Sequence, residues 1–175
     1  MKRLVFLVVF VSFYILTTTA YAAEFMGQTD AGKGRTYSPA VVTESGRTIW
    51  LSGETAITDL NGKDIKGDFE AQVRTIFALM EKTLKHAGGS LKDIVTTTTF
   101  ITDPRNGPIL SKVRTDIFPD GKFPASAMIT VSNLAVPGML IEIQGVAVIN
   151  DQLLNLEGQA VGLPKGSSTA IRKGF

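Results

Sequence analysis

Asp68-Phe69-Glu70-Ala71-Gln72-Val73-Arg74-Thr75-Ile76-Phe77-Ala78-Leu79-Met80-Glu81-Lys82-Thr83-Leu84-Lys85-His86-Ala87-Gly88-Gly89, followed closely by Asp93-Ile94-Val95-Thr96-Thr97-Thr98-Thr99-Phe100-Ile101, decides the fold class. In the first stretch Phe69, Val73, Ile76, Met80 and Leu84 recur at steps of three and four, which is one apolar face of a helix. Asp68 suits the N-cap, Gly88-Gly89 ends the helix, and Lys82, Lys85 and His86 stand near its negative end. The second stretch is rich in threonine and β-branched residues and reads as a strand. A helix handing directly to a strand calls for helices packed on a sheet.

Working outward, residues 40–43 and 48–52 read as two short strands joined by the turn Glu44-Ser45-Gly46-Arg47, and Asn61-Gly62 marks a further turn. Pro108 suits the first turn of a second helix to about residue 118, with Leu110, Val113 and Ile117 facing inward. Strands at 125–132 and 139–149 follow, joined by a loop with Pro137-Gly138. The expected order is β-β-α-β-α-β-β: an α+β domain with one mixed sheet and two helices on one of its faces.

The ends differ from this core. Met1-Lys2-Arg3, an apolar run from Leu4 to Leu16 and the small-x-small triplet Ala20-Tyr21-Ala22 have the layout of a signal peptide, with cleavage expected after Ala22. The run is short for a permanent membrane anchor, which is the competing reading. Cleavage removes Lys2 and Arg3, the whole of the formal +2 excess of 18 basic over 16 acidic residues. A neutral remainder gives no electrostatic reason to bind nucleic acid or to stay at a membrane. The signal segment implies a product in the periplasm or outside the cell. Residues 23–36 read as a loose N-terminal arm, 37–150 as the domain, and 151–175 as a tail.

Composition narrows the chemistry. With no cysteine and one histidine, thiol catalysis, zinc fingers, iron–sulfur centres and multi-histidine metal sites are excluded. His86, at a helix end, reads as exposed. Alternation on the last two strands puts Ala127, Ile129 and Val131 with Ile141, Ile143 and Ala147 against the helices. Ser126, Met128, Thr130, Glu142 and Gln144 are then expected on the far face. Glu142 stands out, because an acid between isoleucines in mid-strand needs exposure, a structural partner or a chemical purpose. A half-apolar far face calls for association of subunits, with a pocket at the interface lined by Ser126, Met128 and Glu142.

The order of elements, with Tyr37-Ser38-Pro39-Ala40, Ser52-Gly53-Glu54, Thr97-Thr98-Thr99-Phe100-Ile101-Thr102-Asp103, Phe123-Pro124-Ala125 and Leu140-Ile141-Glu142-Ile143, resembles the Rid (YjgF) family of reactive-intermediate deaminases. The resemblance spans residues 37–149. It implies a chorismate-mutase-like fold, a homotrimer, and small-molecule clefts between subunits. It also implies hydrolysis of imines and enamines to 2-oxo acids and ammonia, of the 2-iminobutanoate/2-iminopropanoate deaminase type, without metal or organic cofactor. Carried over residue by residue, Glu142 matches the acid that positions or activates water, Tyr37 the cleft tyrosine, and Gly53 the glycine whose backbone approaches the ligand. The arginine that grips the substrate carboxylate in active members is here Ser126, and Met128 stands where a small side chain or cysteine is usual. Ser111 and Arg114 replace an asparagine and a tyrosine of the second helix. Three outcomes follow from Ser126: a ligand without a carboxylate, rescue by Arg47, Arg105 or Arg114, or loss of catalysis. The second functional class is therefore a noncatalytic trimer that binds a small molecule or a protein.

Overall fold

The structure, a computed structural model, describes residues 23–28 and 30–150. The proposed signal segment and the tail at 151–175 lie outside these residues. Eight principal elements run in the order β1 (Ala23–Phe25), β2 (Val41–Thr43), β3 (Arg47–Glu54), α1 (Phe69–His86), β4 (Ile94–Ile101), α2 (Gly107–Ile117), β5 (Ala125–Thr130) and β6 (Ile141–Ile149).

The helix signals operate as their chemistry requires. The Asp68 side chain accepts from the Ala71 N–H at 3.0 Å and caps α1. At the other end Gly88 takes φ +84. Its N–H donates to Lys85 O, and that of Gly89 to Leu84 O, which closes the helix in a Schellman turn. Val73, Ile76, Phe77, Met80 and Leu84 are all buried against the sheet. Pro108 lies in the first turn of α2, where a missing N–H costs nothing. Arg74 on α1 bridges Glu70 and, at 2.7 Å, Asp116 of α2, so the helices are tied at the surface as well as packed.

The main sheet has four strands in the order β3-β6-β4-β5. β6 is antiparallel to both of its neighbours, and β5 joins β4 in parallel through the α2 crossover. Ile141, Ile143 and Ala147 of β6 are buried beneath the helices. Gly145 lies among them because a Cβ there would sit 3.3 Å from the Met80 Cε and 3.1 Å from the Thr96 carbonyl oxygen.

Two expectations change at the amino-terminal side. Residues 41–43 do not form a hairpin with β3. They pair antiparallel with Ala23–Phe25, so the segment read as a loose arm contributes a strand to a separate two-stranded sheet. Neither strand is long enough for periodicity to show which partner it takes.

A third change bears on the site. Register pairs Thr97 with Ser126 and Thr99 with Met128, and both threonines are buried on the helix side. Ser126 and Met128 therefore face the helices, while Ala127 and Ile129 share the open face with Phe100 and Glu142. On β5 the expected alternation holds with its sense inverted, whereas β6 faces as expected. β5 is an edge strand that α2 covers only in part, so hydrophobicity does not mark its inward side.

Candidate functional site

Residues expected in one pocket fall on two faces of the sheet. Behind β5, on the helix side, a cavity of about 530 Å³ is lined by Tyr37, Ser111, Arg114, Ser126 and Met128, with Gly107 and the 34–36 segment at its rim. Ser38 positions Tyr37 there. Its N–H donates to Pro124 O, its hydroxyl to Phe123 O at 2.6 Å, and it bridges to Ala125 at the start of β5. Thr36 and Ser111 share a hydroxyl–hydroxyl bond of 3.2 Å that holds the same segment against α2.

The centre of this cavity wall is Arg114, only 5% exposed. Its Nη1 donates to the Ser126 hydroxyl at 2.7 Å and its Nη2 to the Pro124 carbonyl at 3.4 Å, while Nε has no partner. No carboxylate pairs with it among the described residues. Burial pushes the guanidinium down to about 10, because desolvation disfavours the cation and nothing nearby compensates. It remains protonated at neutral pH. Ser126 also accepts from Thr97 Oγ1 at 3.1 Å.

Of the three arginines considered for the role of the missing one, only Arg114 reaches this cavity. Arg105 is held by Asp103 at the surface, and Arg47 donates to Ala87 O at the far end of α1. Arg114 was legible as one of three candidates. That its guanidinium meets position 126 follows from the packing of α2 on β5, which no linear motif encodes. His86 is exposed at the end of α1, as expected.

The second half of the constellation lies at the other side of the sheet. Register places Ile129, Phe100 and Glu142 in one row across β5, β4 and β6 on the open face. Beside Glu142 the pairing of β3 with β6 slips between Leu51 and Glu54, and this bulge contains Gly53. The Glu142 carboxylate occupies the space where a Gly53 Cβ would stand. Glu142 is half-buried, with no hydrogen-bond or ion-pair partner among the described residues. Neighbouring Glu54 was not singled out from sequence. Burial pushes its carboxyl up.

Strands lie about 4.8 Å apart, so β6 and β5 are separated by roughly twice that, with Glu142 and Ser126 on opposite faces. Within one chain they do not meet. The expectation that Ser126, Met128 and Glu142 share one face of the sheet is corrected: Ser126 and Met128 join Tyr37 on the helix side, and Glu142 joins Gly53 on the open face.

Both groups of residues fall within the span that known proteins match. Residues 31–149 match the family described as Endoribonuclease L-PSP. The chain is 33% identical over 111 residues to the 3-aminoacrylate deaminase RutC of Acinetobacter baylyi, covering 63% of this chain and 85% of that protein. A RutC family protein of Pyrococcus horikoshii is 30% identical over 111 residues, again 63% of this chain and 85% of that protein. Among solved structures, the Rid family protein YyfB of Yersinia pestis superposes with a TM-score of 0.66 at 25% identity, covering 74% of this chain and all of that one. A putative endoribonuclease of Thermotoga maritima gives 0.54 at 30% identity, covering 65% and 87%. The match reaches from the segment that carries Tyr37 to the last residue of β6, and by it the chain belongs to the YjgF/Rid family, the Endoribonuclease L-PSP family.

Proposed function

We propose that this protein hydrolyses reactive imines or enamines to 2-oxo compounds and ammonia, in clefts that form between the subunits of a homotrimer. The observation that carries the reading is the Glu142 carboxylate, seated against the Gly53 backbone and without a hydrogen-bond or ion-pair partner among the described residues. A paired glutamate would be a scaffold element. An unpaired one at the floor of a strand bulge is available to hold a water. The water oxygen adds to the imine carbon while its proton passes to Glu142. The C=N electron pair moves to nitrogen, which takes up both water protons in turn, one returned by Glu142 and one from the new hydroxyl; the C–N bond then breaks to release ammonia and leave the carbonyl. The deaminase relative at 33% identity supports this reaction class.

The geometry of the half-sites supports such an assembly. β3 and β5 are the two edges of the main sheet. A ring in which the β5 edge of one copy meets the β3 edge of the next brings a Tyr37–Arg114–Ser126 cavity against a neighbour's Gly53–Glu142 bulge. Export through a cleaved segment 1–22, to the periplasm or outside the cell, completes the reading. N-terminal sequencing of secreted protein is expected to begin at Ala23.

The competing reading, a trimer that binds and does not catalyse, rests on Ser126 in place of the family's arginine. One experiment separates them: ammonia release from imines generated in situ from several amino acids, with wild type and Glu142→Gln. Glutamine keeps the size and removes the base, so turnover is expected to fall by about 10²–10⁴-fold. Equal turnover in both proteins overturns the assignment, and no turnover by wild type on any imine leaves the binding module.

A further inference from the structure

A buried cation with no counter-charge is costly, and proteins keep one where something supplies the missing charge. Among the described residues Arg114 is such a cation. It is nearly enclosed, its Nε lacks a partner, and its two recorded donors go to neutral oxygens of Ser126 and Pro124. Each Nη carries a second hydrogen, so the fork is not exhausted. Arg114 also lines a cavity that Arg35 borders and that no acidic side chain lines among the described residues.

Position 126 explains how the guanidinium fits there. A long side chain on β5 would occupy the space that Arg114 enters from α2. Serine leaves the space open and offers an oxygen. Because Ser126 accepts from both Arg114 and Thr97, its own O–H is left to donate elsewhere. We propose that Arg114 is the anion clamp of this protein, contributed by the helix rather than by the strand, and that its ligand carries a carboxylate seated between Arg114, Ser126 and Tyr37. The proposal rests on the cleft described above and assigns the carboxylate contact to a residue of α2. Burial strengthens the clamp. A guanidinium already desolvated loses little further hydration when the anion arrives, and the anion restores the preference for the charged form.

The test is calorimetry on the purified mature protein with 2-oxobutanoate and with its uncharged methyl ester. Wild type is expected to bind the acid and not the ester. Replacing Arg114 by methionine removes a charge-assisted contact and is expected to weaken the acid by about ten- to hundredfold. Arg114→Lys keeps the cation and most of the stem, and is expected to bind with intermediate affinity. If the methionine variant does not fold, the lysine variant and the acid–ester comparison still decide. In the double variant Arg114→Tyr/Ser126→Arg the guanidinium returns from the strand side, and binding of the acid is expected to recover. Equal binding of acid and ester by wild type, or unchanged acid binding in a folded Arg114 variant, overturns the clamp. The outcomes separate from those of the hydrolase reading. Acid binding through Arg114 without ammonia release keeps the clamp and removes the hydrolase. Turnover of neutral imines with no preference for acids does the reverse.

Discussion

At Gly53 the missing Cβ leaves the space that the Glu142 carboxylate occupies. The φ of Gly53 is not in the left-handed region, so alanine meets no backbone strain there. What a Cβ would meet is the Glu142 carboxylate, the far end of a flexible side chain. The Gly53→Ala variant is therefore expected to unfold within about 1 kcal/mol of wild type, as substitutions that displace only a side-chain tip do. Turnover is expected to fall at least tenfold, because the carboxylate is pushed from its place by more than catalysis tolerates. Thermal melts beside steady-state rates check both halves. A loss of stability with rates preserved contradicts the positioning role of the glycine. The same residue scale limits what restoring the family's arginine can do. Ser126→Arg alone sets a second guanidinium beside Arg114, and like charges in a desolvated site repel. That single variant is expected to lose stability and gain no carboxylate affinity.

Among the elements, the path into β6 is held by a buried amide. Gln72, on the inward face of α1, is fully buried, and its Nε2 donates to Ile65 O at 3.0 Å and Gly138 O at 2.7 Å. Its Oε1 accepts from the Leu140 N–H at 2.8 Å. One side chain thus fixes both the loop before α1 and the start of the strand that carries Glu142. Gln72→Leu fills most of the same volume, orphans the Leu140 N–H, and leaves the Ile65 and Gly138 carbonyls with only their backbone donors, the Asp68 and Gly67 N–H groups. A destabilisation of about 1–3 kcal/mol is expected, measurable by urea unfolding. Its readout beyond stability is hydrogen exchange at the Leu140 amide, which is expected to accelerate more than exchange in α1. Edge-to-face contacts of Phe118 with Phe77 and Phe123, at 6.0 and 6.2 Å between centroids, also fasten the helix layer.

For the whole molecule, the open face of the sheet is the determining feature. Trp50 is 80% exposed and Ile129 43% in the single chain, and Phe100 and Val146 lie on the same face. So apolar a surface on one side of a sheet calls for a cover. The expected cover is two further copies, giving roughly three chain masses in light scattering. Trp50 is the sole tryptophan, so its fluorescence reports the assembly: emission is expected to shift to shorter wavelength in the trimer and to longer wavelength on dissociation. Trp50→Glu places a charge on the covered face and is expected to give a monomer, with ammonia release lost because the two half-sites no longer meet. A monomeric wild type at micromolar concentration contradicts the assembly and the shared cleft together.

Sequence alone determined the elements that local chemistry specifies. The Asp68 cap, the Gly88-Gly89 stop, the 3.6-residue stripe of α1, Pro108 at the start of α2 and the threonine-rich β4 are each legible within a few residues, because each satisfies its own backbone or buries its own face. The motifs around Tyr37, Gly53 and Glu142 likewise sufficed to identify the family. Tertiary structure alone decided three other things: which strand residues 41–43 pair with, which way β5 faces, and which arginine stands at Ser126. All three depend on contacts between segments distant in the chain. Ala127 and Ile129 looked like core because they are apolar, yet an edge strand half-covered by α2 takes its sense from register with Thr97 and Thr99. Arg114 meets Ser126 across the packing of a helix on a strand, a contact that the spacing of residues along the chain does not encode.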